Sequence, residues 1–335
     1  MRRIVFSCLL MVTMSNLLAQ EKSPLEKAIE AYQEYDSYDR KEYPLGLVTP
    51  ERHQKDAAFY RELLEEVKAI NSEGLSETDR ISRELLEFVL QDRIAYVDFE
   101  GYLNPLLSDS GFHLNLNYRV RPIQNYAQAI NYLRVLNAIP DFVDQHFDNL
   151  RAGLEKGVSQ PKIIFKGYES TYNDHIVDNY ADSFFYSPFL NLPEQLTPKQ
   201  RDSILTEGRK AIEEVVVPQF KRIKEFFETE YLPNTREAIG VSDRPGGAEY
   251  YQDRINFYTT STQYTAQDIH DIGLKEVARI RAHMEEIIRE LEFEGSFEDF
   301  LSFLRTDEQF YAKTPRELLM IARDMAKRAD EQLPR

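Results

Sequence analysis

The chain has 335 residues, of which 42% are hydrophobic and 29% charged, and its formal net charge is −16. This length and composition are typical of a globular protein with one large domain and an ample core. So acidic a chain repels phosphate backbones and anionic membrane surfaces, which excludes nucleic acid as an expected partner.

The first twenty residues, MRRIVFSCLLMVTMSNLLAQ, place two arginines before an apolar run and a small residue, Ala19, before Gln20. This layout predicts a secretory signal peptide over residues 1–19 and an exported chain, periplasmic or extracellular. The run is too short and too interrupted for a stable membrane span. A buried N-terminal helix and a lipid anchor on Cys8 are the alternatives. Because Cys8 is the only cysteine, the mature chain would lack disulfides and a cysteine nucleophile.

The rest of the chain is mostly typical of helix, because one start signal recurs before segments with three- and four-residue apolar periodicity. A hydroxyl side chain at the start can accept a hydrogen bond from a backbone N–H three residues on, and proline often follows. Such starts occur at Thr49, Ser76, Thr197, Thr265 and Thr314. We therefore predict a mainly α fold, a multi-helix bundle or superhelical array, in a single domain over residues 20–335.

Two segments lack the helical pattern. Residues 112–120, FHLNLNYRV, alternate apolar and polar side chains and predict a strand or an extended loop. Residues 245–262, PGGAEYYQDRINFYTTST, start with two glycines and continue with aromatic and β-branched residues, which predicts a short β-hairpin or extended segment around 248–262. Its edge could pair with a peptide while Arg254 binds a carboxylate. The alternative is a surface hairpin whose tyrosines fill packing gaps.

The histidines do not form a zinc motif, which usually needs two imidazoles one helical turn apart with a glutamate between them. The closest two in sequence, His270 and His283, fall on different faces of one predicted helix. Asp174, His175 and Asp178 form an acid–imidazole cluster that could hold a proton or a metal, with a solvated helix face as the alternative. The spacing of the histidines therefore predicts no shared metal ion, and both interpretations of the cluster at His175 stay open.

Residues 231–284 resemble the bacterial "domain of unknown function 885" family, whose members are large, often exported, and look like zinc metallopeptidases. PGGAEYY, the Thr-Thr pair and the helix IHDIGLKEVARIRAHM carry the resemblance. It continues to Arg335 and, more loosely, back to the mature N-terminus. It implies zinc for the complete family fold, bound by a His-Glu pair followed shortly by Pro-Gly-His-His. That motif lies beyond the Leu333-Pro334 found here.

The resemblance thus implies the N-terminal half of a larger metallopeptidase-like fold, with no cofactor or metal ligand and no catalytic residue in this chain. It suggests substrate contact by one segment, whose residues are Tyr250, Tyr251, Arg254, Tyr258, Thr259 and Thr260. The expected function is the substrate-cleft half of an exported zinc-dependent peptidase or hydrolase, inactive by itself. A non-catalytic periplasmic helical binding protein is the alternative, so whether this chain is an enzyme stays open.

Two kinds of partner follow from this interpretation. A peptide or another small substrate is the expected ligand of the cleft segment. Helices whose apolar faces pack on the other half of the fold would expose those faces in its absence. We therefore expect the missing C-terminal half, or self-association, to cover them.

Overall fold

The computed structural model describes residues 22–333, so the predicted signal peptide lies outside the described residues. Within that range the chain forms thirteen α-helices and no β-strand. Isolated bridges join Leu107 to Ser110 and Pro161 to Arg236. The prediction of a mainly α fold is confirmed.

The α-helices follow in this order along the chain: α1 (Pro24–Glu34), α2 (Pro50–Ala69), α3 (Glu77–Asp98), α4 (Tyr126–Asn137), α5 (Ile139–Glu155), α6 (Ser170–Asn173), α7 (Ser187–Leu190), α8 (Pro198–Ala211), α9 (Val217–Glu225), α10 (Gly247–Thr259), α11 (Ala266–Glu290), α12 (Phe297–Thr306) and α13 (Pro315–Asp330). Two π-helical turns, Ile212–Val216 and Phe226–Tyr231, flank α9. Short 3-10 helices lie at Gly101–Leu103, Leu114–Arg119, Lys162–Phe165, Tyr180–Asp182, Phe184–Tyr186, Leu232–Asn234, Val241–Asp243 and Glu308–Phe310.

The start signals found in the sequence all open helices. A side-chain oxygen accepts a hydrogen bond from the backbone N–H three residues on at Thr49, Ser76, Thr197, Thr265 and Thr314. Each such cap stabilises its helix by about 1 kcal/mol. Local sequence therefore fixes where these five helices begin.

Prolines shape the two longest helical stretches. Pro140 lies in the first turn of α5, directly after a break, because α4 ends at Asn137 and α5 begins at Ile139. Pro218 has no N–H to bond the carbonyl oxygen four residues earlier. The helical turn before it is therefore wider and forms the π-turn Ile212–Val216.

The described chain separates into two compact units, one ending at Phe257 and the other beginning at Tyr258. The core of the larger unit is rich in aromatic side chains: Phe220, Phe227 and Tyr231 are fully buried. Phe227 packs on the rings of Phe112 and Tyr172, with centroids 6.4 and 5.8 Å away. The expectation of a single domain over 20–335 stays a prediction.

The smaller unit contains α11, α12 and α13. Ile288 is the only residue buried among residues 258–333. Apolar side chains on α11 and α13 remain exposed, including Val277 at 67% and Met325 at 63%. No helix among residues 22–333 is both long and apolar enough to cross a bilayer.

The prediction of a short β-hairpin or extended segment around 248–262 is wrong, because α10 occupies Gly247–Thr259. Aromatic and β-branched residues favour strands only where a partner strand exists, and here tertiary packing decides instead. Phe257 stacks on Phe88 of α3 at 5.0 Å between centroids, and Ile255 is buried. Residues 112–120 likewise contain a 3-10 helix, Leu114–Arg119, in place of a strand.

Candidate functional site

A pocket of about 470 Å³ opens in the larger unit, between the end of α3, the loops near residues 104–110, 159–161 and 236–244, and the start of α10. Three arginines line it, Arg236, Arg244 and Arg254, and we call it the arginine pocket. Its aromatic walls come from Tyr96, Phe99 and Tyr250. None of the described lining residues is a carboxylate, in a chain that has 57 acidic residues.

Arg236 holds the loop that forms one side of the pocket. Its Nε donates a hydrogen bond to the Ser159 carbonyl oxygen at 2.8 Å, and its Nη1 donates to the carbonyl oxygens of Ala238 and Gly240 at 2.7 and 2.5 Å. The backbone N–H of Lys162 donates to the Arg236 carbonyl oxygen at 2.9 Å. Neutral carbonyls thus orient this guanidinium without neutralising its charge.

Arg244 is the least compensated cation in the pocket. Its guanidinium carbon lies 4.3 Å from the centre of the Tyr250 ring, and its buried Nε has no hydrogen-bond partner in the described chain. Burial lowers the pKa of Arg244, and the charge of Arg236 acts in the same direction, against the opposing effects of Tyr250 and Glu100. Glu100 is itself paired with Lys156.

A glycine turn brings Arg244 under Tyr250. Gly246 has a φ of +64°, which favours glycine. A Cβ on Gly247 would lie 1.9 Å from the Val241 carbonyl oxygen, so only glycine fits there. The Gly247 N–H donates to the Arg244 carbonyl oxygen at 3.0 Å. The Pro-Gly-Gly signal noted in the sequence therefore positions an arginine at the start of a helix.

Arg254, one helical turn after Tyr250, is neutralised by two carboxylates. Its Nη1 lies 2.9 Å from Asp92 Oδ1, and its Nε donates to Asp253 Oδ2 at 3.0 Å. Burial works to lower the pKa of Arg254, but the hydrogen bonds to Asp253 and Asp92 outweigh it and the pKa is raised. Its guanidinium also lies 4.9 Å from the Phe257 ring centre. These contacts suit Arg254 to bracing α10 on α3.

The six predicted substrate-contact residues are not all brought together. Tyr250 and Arg254 line the arginine pocket. Tyr251 lies on another face of α10 and is 44% exposed. The other three, Tyr258, Thr259 and Thr260, belong to the smaller unit. Substrate contact by the six stays a prediction.

Sequence reasoning missed Arg236 and Arg244. The one available signal for Arg244 was its place beside the Pro-Gly-Gly turn, where an unusual backbone path allows a side chain to face a cleft. Nothing near Arg236 in the sequence marks it, because the carbonyl of Ser159 that orients it is distant along the chain.

Four of the six histidines are core residues. His53, His113, His146 and His175 are buried beside aromatic rings. Burial lowers the pKa of His53 to about 4, and those of His113 and His146 to about 3. Burial also lowers the pKa of His175, so the proposed acid–imidazole cluster holds a neutral ring packed on Phe220.

The described residues do not fit a zinc site. Among residues 22–333 no three His, Cys, Asp or Glu side chains lie close enough together to hold a metal ion. Of the two remaining histidines, His270 and His283 on α11, neither has a nearby set of carboxylates and imidazoles to complete a tetrahedral site.

Comparison with known proteins gives one family and one similar solved structure. No curated protein matches it. A solved structure described as "the putative lipoprotein from Colwellia psychrerythraea" has the same fold, with a TM-score of 0.73 at 19% identity over 92% of this chain and 59% of that one. This chain therefore spans less than two thirds of that protein's length. The sequence model of the family described as "Bacterial protein of unknown function (DUF885)" matches residues 22–335, and the chain belongs to this family.

Proposed function

We propose that this chain is the substrate-binding part of an exported hydrolase of the peptidase class, with no catalytic activity by itself. The arginine pocket is the observation that carries the proposal. Its volume of about 470 Å³ is within the range of small-molecule sites, which combine apolar walls with a few fixed polar groups. A short peptide end fits such a site.

Electrostatics supports a polar or anionic substrate group in this pocket. A cleft lined by one sign of charge raises the local concentration of ligands with the opposite sign. The chain carries 57 acidic and 41 basic residues, yet all the charged side chains that line the arginine pocket are cationic. The arginine pocket therefore favours binding of an anionic group, although the chain as a whole is acidic.

Zinc would supply a metal-activated water in the complete family fold, but the described residues of this chain do not provide its ligands. The role proposed for these residues is to bind the substrate and to orient it. Arg254, braced by Asp92, fixes α10 so that Tyr250 and Arg244 keep their positions at the pocket wall.

A partner polypeptide is the second part of the proposal. Contiguous exposed apolar faces often mark interaction surfaces, and the smaller unit exposes Val277, Leu318 and Met325 on its helices. A further segment of the same fold, or a second copy of the chain, covers them. Export through the leader at residues 1–19 places this assembly in the periplasm or outside the cell.

Peptide binding without cleavage is the expected result for the purified chain. The purified chain is mixed with a pool of fluorescently labelled peptides. Fluorescence anisotropy measures binding, and mass spectrometry shows whether the peptides stay intact. Absence of binding, or cleavage by a chain that holds stoichiometric zinc, would contradict the proposal. The DNA downstream of the Arg335 codon gives an independent test: an in-frame His-Glu and His-His motif favours the hydrolase, and a stop codon favours a non-catalytic binding protein.

A further inference from the structure

We propose that the arginine pocket recognises the free carboxylate at the C-terminus of a peptide whose last side chain is apolar, and that Arg244 is the residue that binds this carboxylate. The inference rests on the proposed function for its substrate class, because it names which part of a peptide enters the pocket. Its evidence is the charge balance, the geometry of Arg244 and the nature of the walls.

Two arginines of the pocket have no carboxylate partner in the described chain, and Arg244 is the less satisfied of the two. Arg254 has two carboxylates, Asp92 and Asp253. Arg236 is held by backbone carbonyls, which carry no net charge. Arg244 has the ring of Tyr250 and a buried Nε without a hydrogen-bond partner in the described chain. An anion from outside the fold would complete this site.

The geometry of Arg244 suits a carboxylate in particular. A guanidinium stacked on an aromatic face keeps its N–H donors in its own plane, away from the ring. The two oxygens of a carboxylate match this planar fork and accept two parallel hydrogen bonds. Nε has no hydrogen-bond partner in the described chain, so a carboxylate that accepts from it would add a hydrogen bond that the fold does not supply.

The walls specify what the carboxylate is attached to. Phe99, Ile239 and Val241 give the pocket an apolar side. Two polar lining residues already make hydrogen bonds within the protein. Gln160 Nε2 donates to the Leu106 carbonyl oxygen at 2.7 Å, and Asn104 Oδ1 accepts from the Tyr231 hydroxyl at 3.3 Å. A cation beside apolar walls fits a C-terminal residue with an aromatic or aliphatic side chain.

The test compares N-acetyl-L-phenylalanine with its amide, which differs only in the carboxylate, by titration calorimetry on the full chain. We expect the acid to bind and the amide to bind at least about tenfold more weakly, as for the loss of a charge-assisted bidentate pair. The Arg244→Gln variant should lose the same factor for the acid. N-acetyl-L-glutamic acid α-amide, which has only a side-chain carboxylate, should also bind weakly.

A matched control is Arg209→Gln. Arg209 also lies over a tyrosine ring, Tyr180 at 5.0 Å, and pairs with Glu213, but it is outside the pocket. Its loss should leave the affinity unchanged. Arg244→Lys keeps the charge without the planar fork and should bind with intermediate affinity, and far-UV circular dichroism establishes that each variant is folded.

Two results would overturn the inference: equal binding of acid and amide, or wild-type affinity in folded Arg244→Gln. Tight binding of the glutamate α-amide would overturn the assignment to a peptide C-terminus. The outcome is separate from that of the proposed function. Arg244-dependent binding of N-acetylphenylalanine, with no binding of longer peptides, would contradict the proposed function but support the carboxylate site.

Discussion

Lowering the pH from about 7.5 to about 5.5 should destabilise the larger unit by about 4 kcal/mol through three of its four buried histidines, which stay neutral in the fold and become protonated on unfolding. Burial lowers the pKa of His53 from the ordinary value of 6.5 to about 4, and those of His113 and His146 to about 3. Their contribution is therefore fully present above pH 6.5 and is lost as the pH falls toward the folded-state values.

The magnitude follows from proton linkage. At about pH 5.5 the protonated form of each histidine outnumbers the neutral form about tenfold in the unfolded chain. This protonation favours unfolding by about 1.3 kcal/mol per histidine. Three give about 4 kcal/mol, a large share of the 5–15 kcal/mol that usually separates folded from unfolded domains. This pH window lies above the range in which most carboxylates titrate, so the histidines dominate it.

The assay is urea unfolding followed by far-UV circular dichroism at the two pH values. His146→Leu removes one of the three rings, one whose Nδ1 has no hydrogen-bond partner, and should reduce the pH-dependent loss by about a third. His270→Leu is the control, because this exposed residue of α11 is solvated in both states. An unfolding free energy that stays flat between the two pH values would refute the reasoning.

Three further outcomes are expected. Gly247→Ala should lower the unfolding free energy measured by urea unfolding by about 1–3 kcal/mol, because its Cβ would lie 1.9 Å from a backbone carbonyl oxygen. Gly273→Ala, at a position with open space around it, should instead raise the unfolding free energy by about 0.5–1 kcal/mol. Phe227→Ala should cost about 3–5 kcal/mol in the same assay, because the ring is fully buried. Glutamate at Leu318 and Met325, which are 59% and 63% exposed, should reduce concentration-dependent association in sedimentation velocity, and a wild-type chain that is monomeric throughout would contradict a covered apolar face.

Helix starts could be predicted from the sequence because their causes are local. The hydroxyl of Thr265 and the N–H of Asp268 are three residues apart, and the capping box they form needs no other part of the chain. The segment after Gly247 could not be predicted in this way. Its aromatic residues favour a strand by propensity, but contact of Phe257 with Phe88 on α3 stabilises a helix, and that contact joins residues far apart in sequence.

The site was predictable only in part, for a related reason. Tyr250 and Arg254 were named by resemblance, and both do line the pocket. Which arginine is available to an anion depends on partners that sequence does not reveal. Asp92 of α3 reaches Arg254, while among residues 22–333 no comparable carboxylate reaches Arg244, whose acidic neighbour Glu100 is engaged by Lys156.

The buried histidines and Arg244 represent two responses to the same desolvation cost. An imidazole such as His113 avoids the cost of a buried charge by releasing its proton, because its ordinary pKa is close to neutrality. A guanidinium keeps its proton at any physiological pH, so burial at Arg244 can lower its pKa but cannot remove its charge. The cost at Arg244 is offset in part by the Tyr250 ring and by the charge of Glu100, and because its Nε has no hydrogen-bond partner in the described fold, the proposed carboxylate would offset more of it.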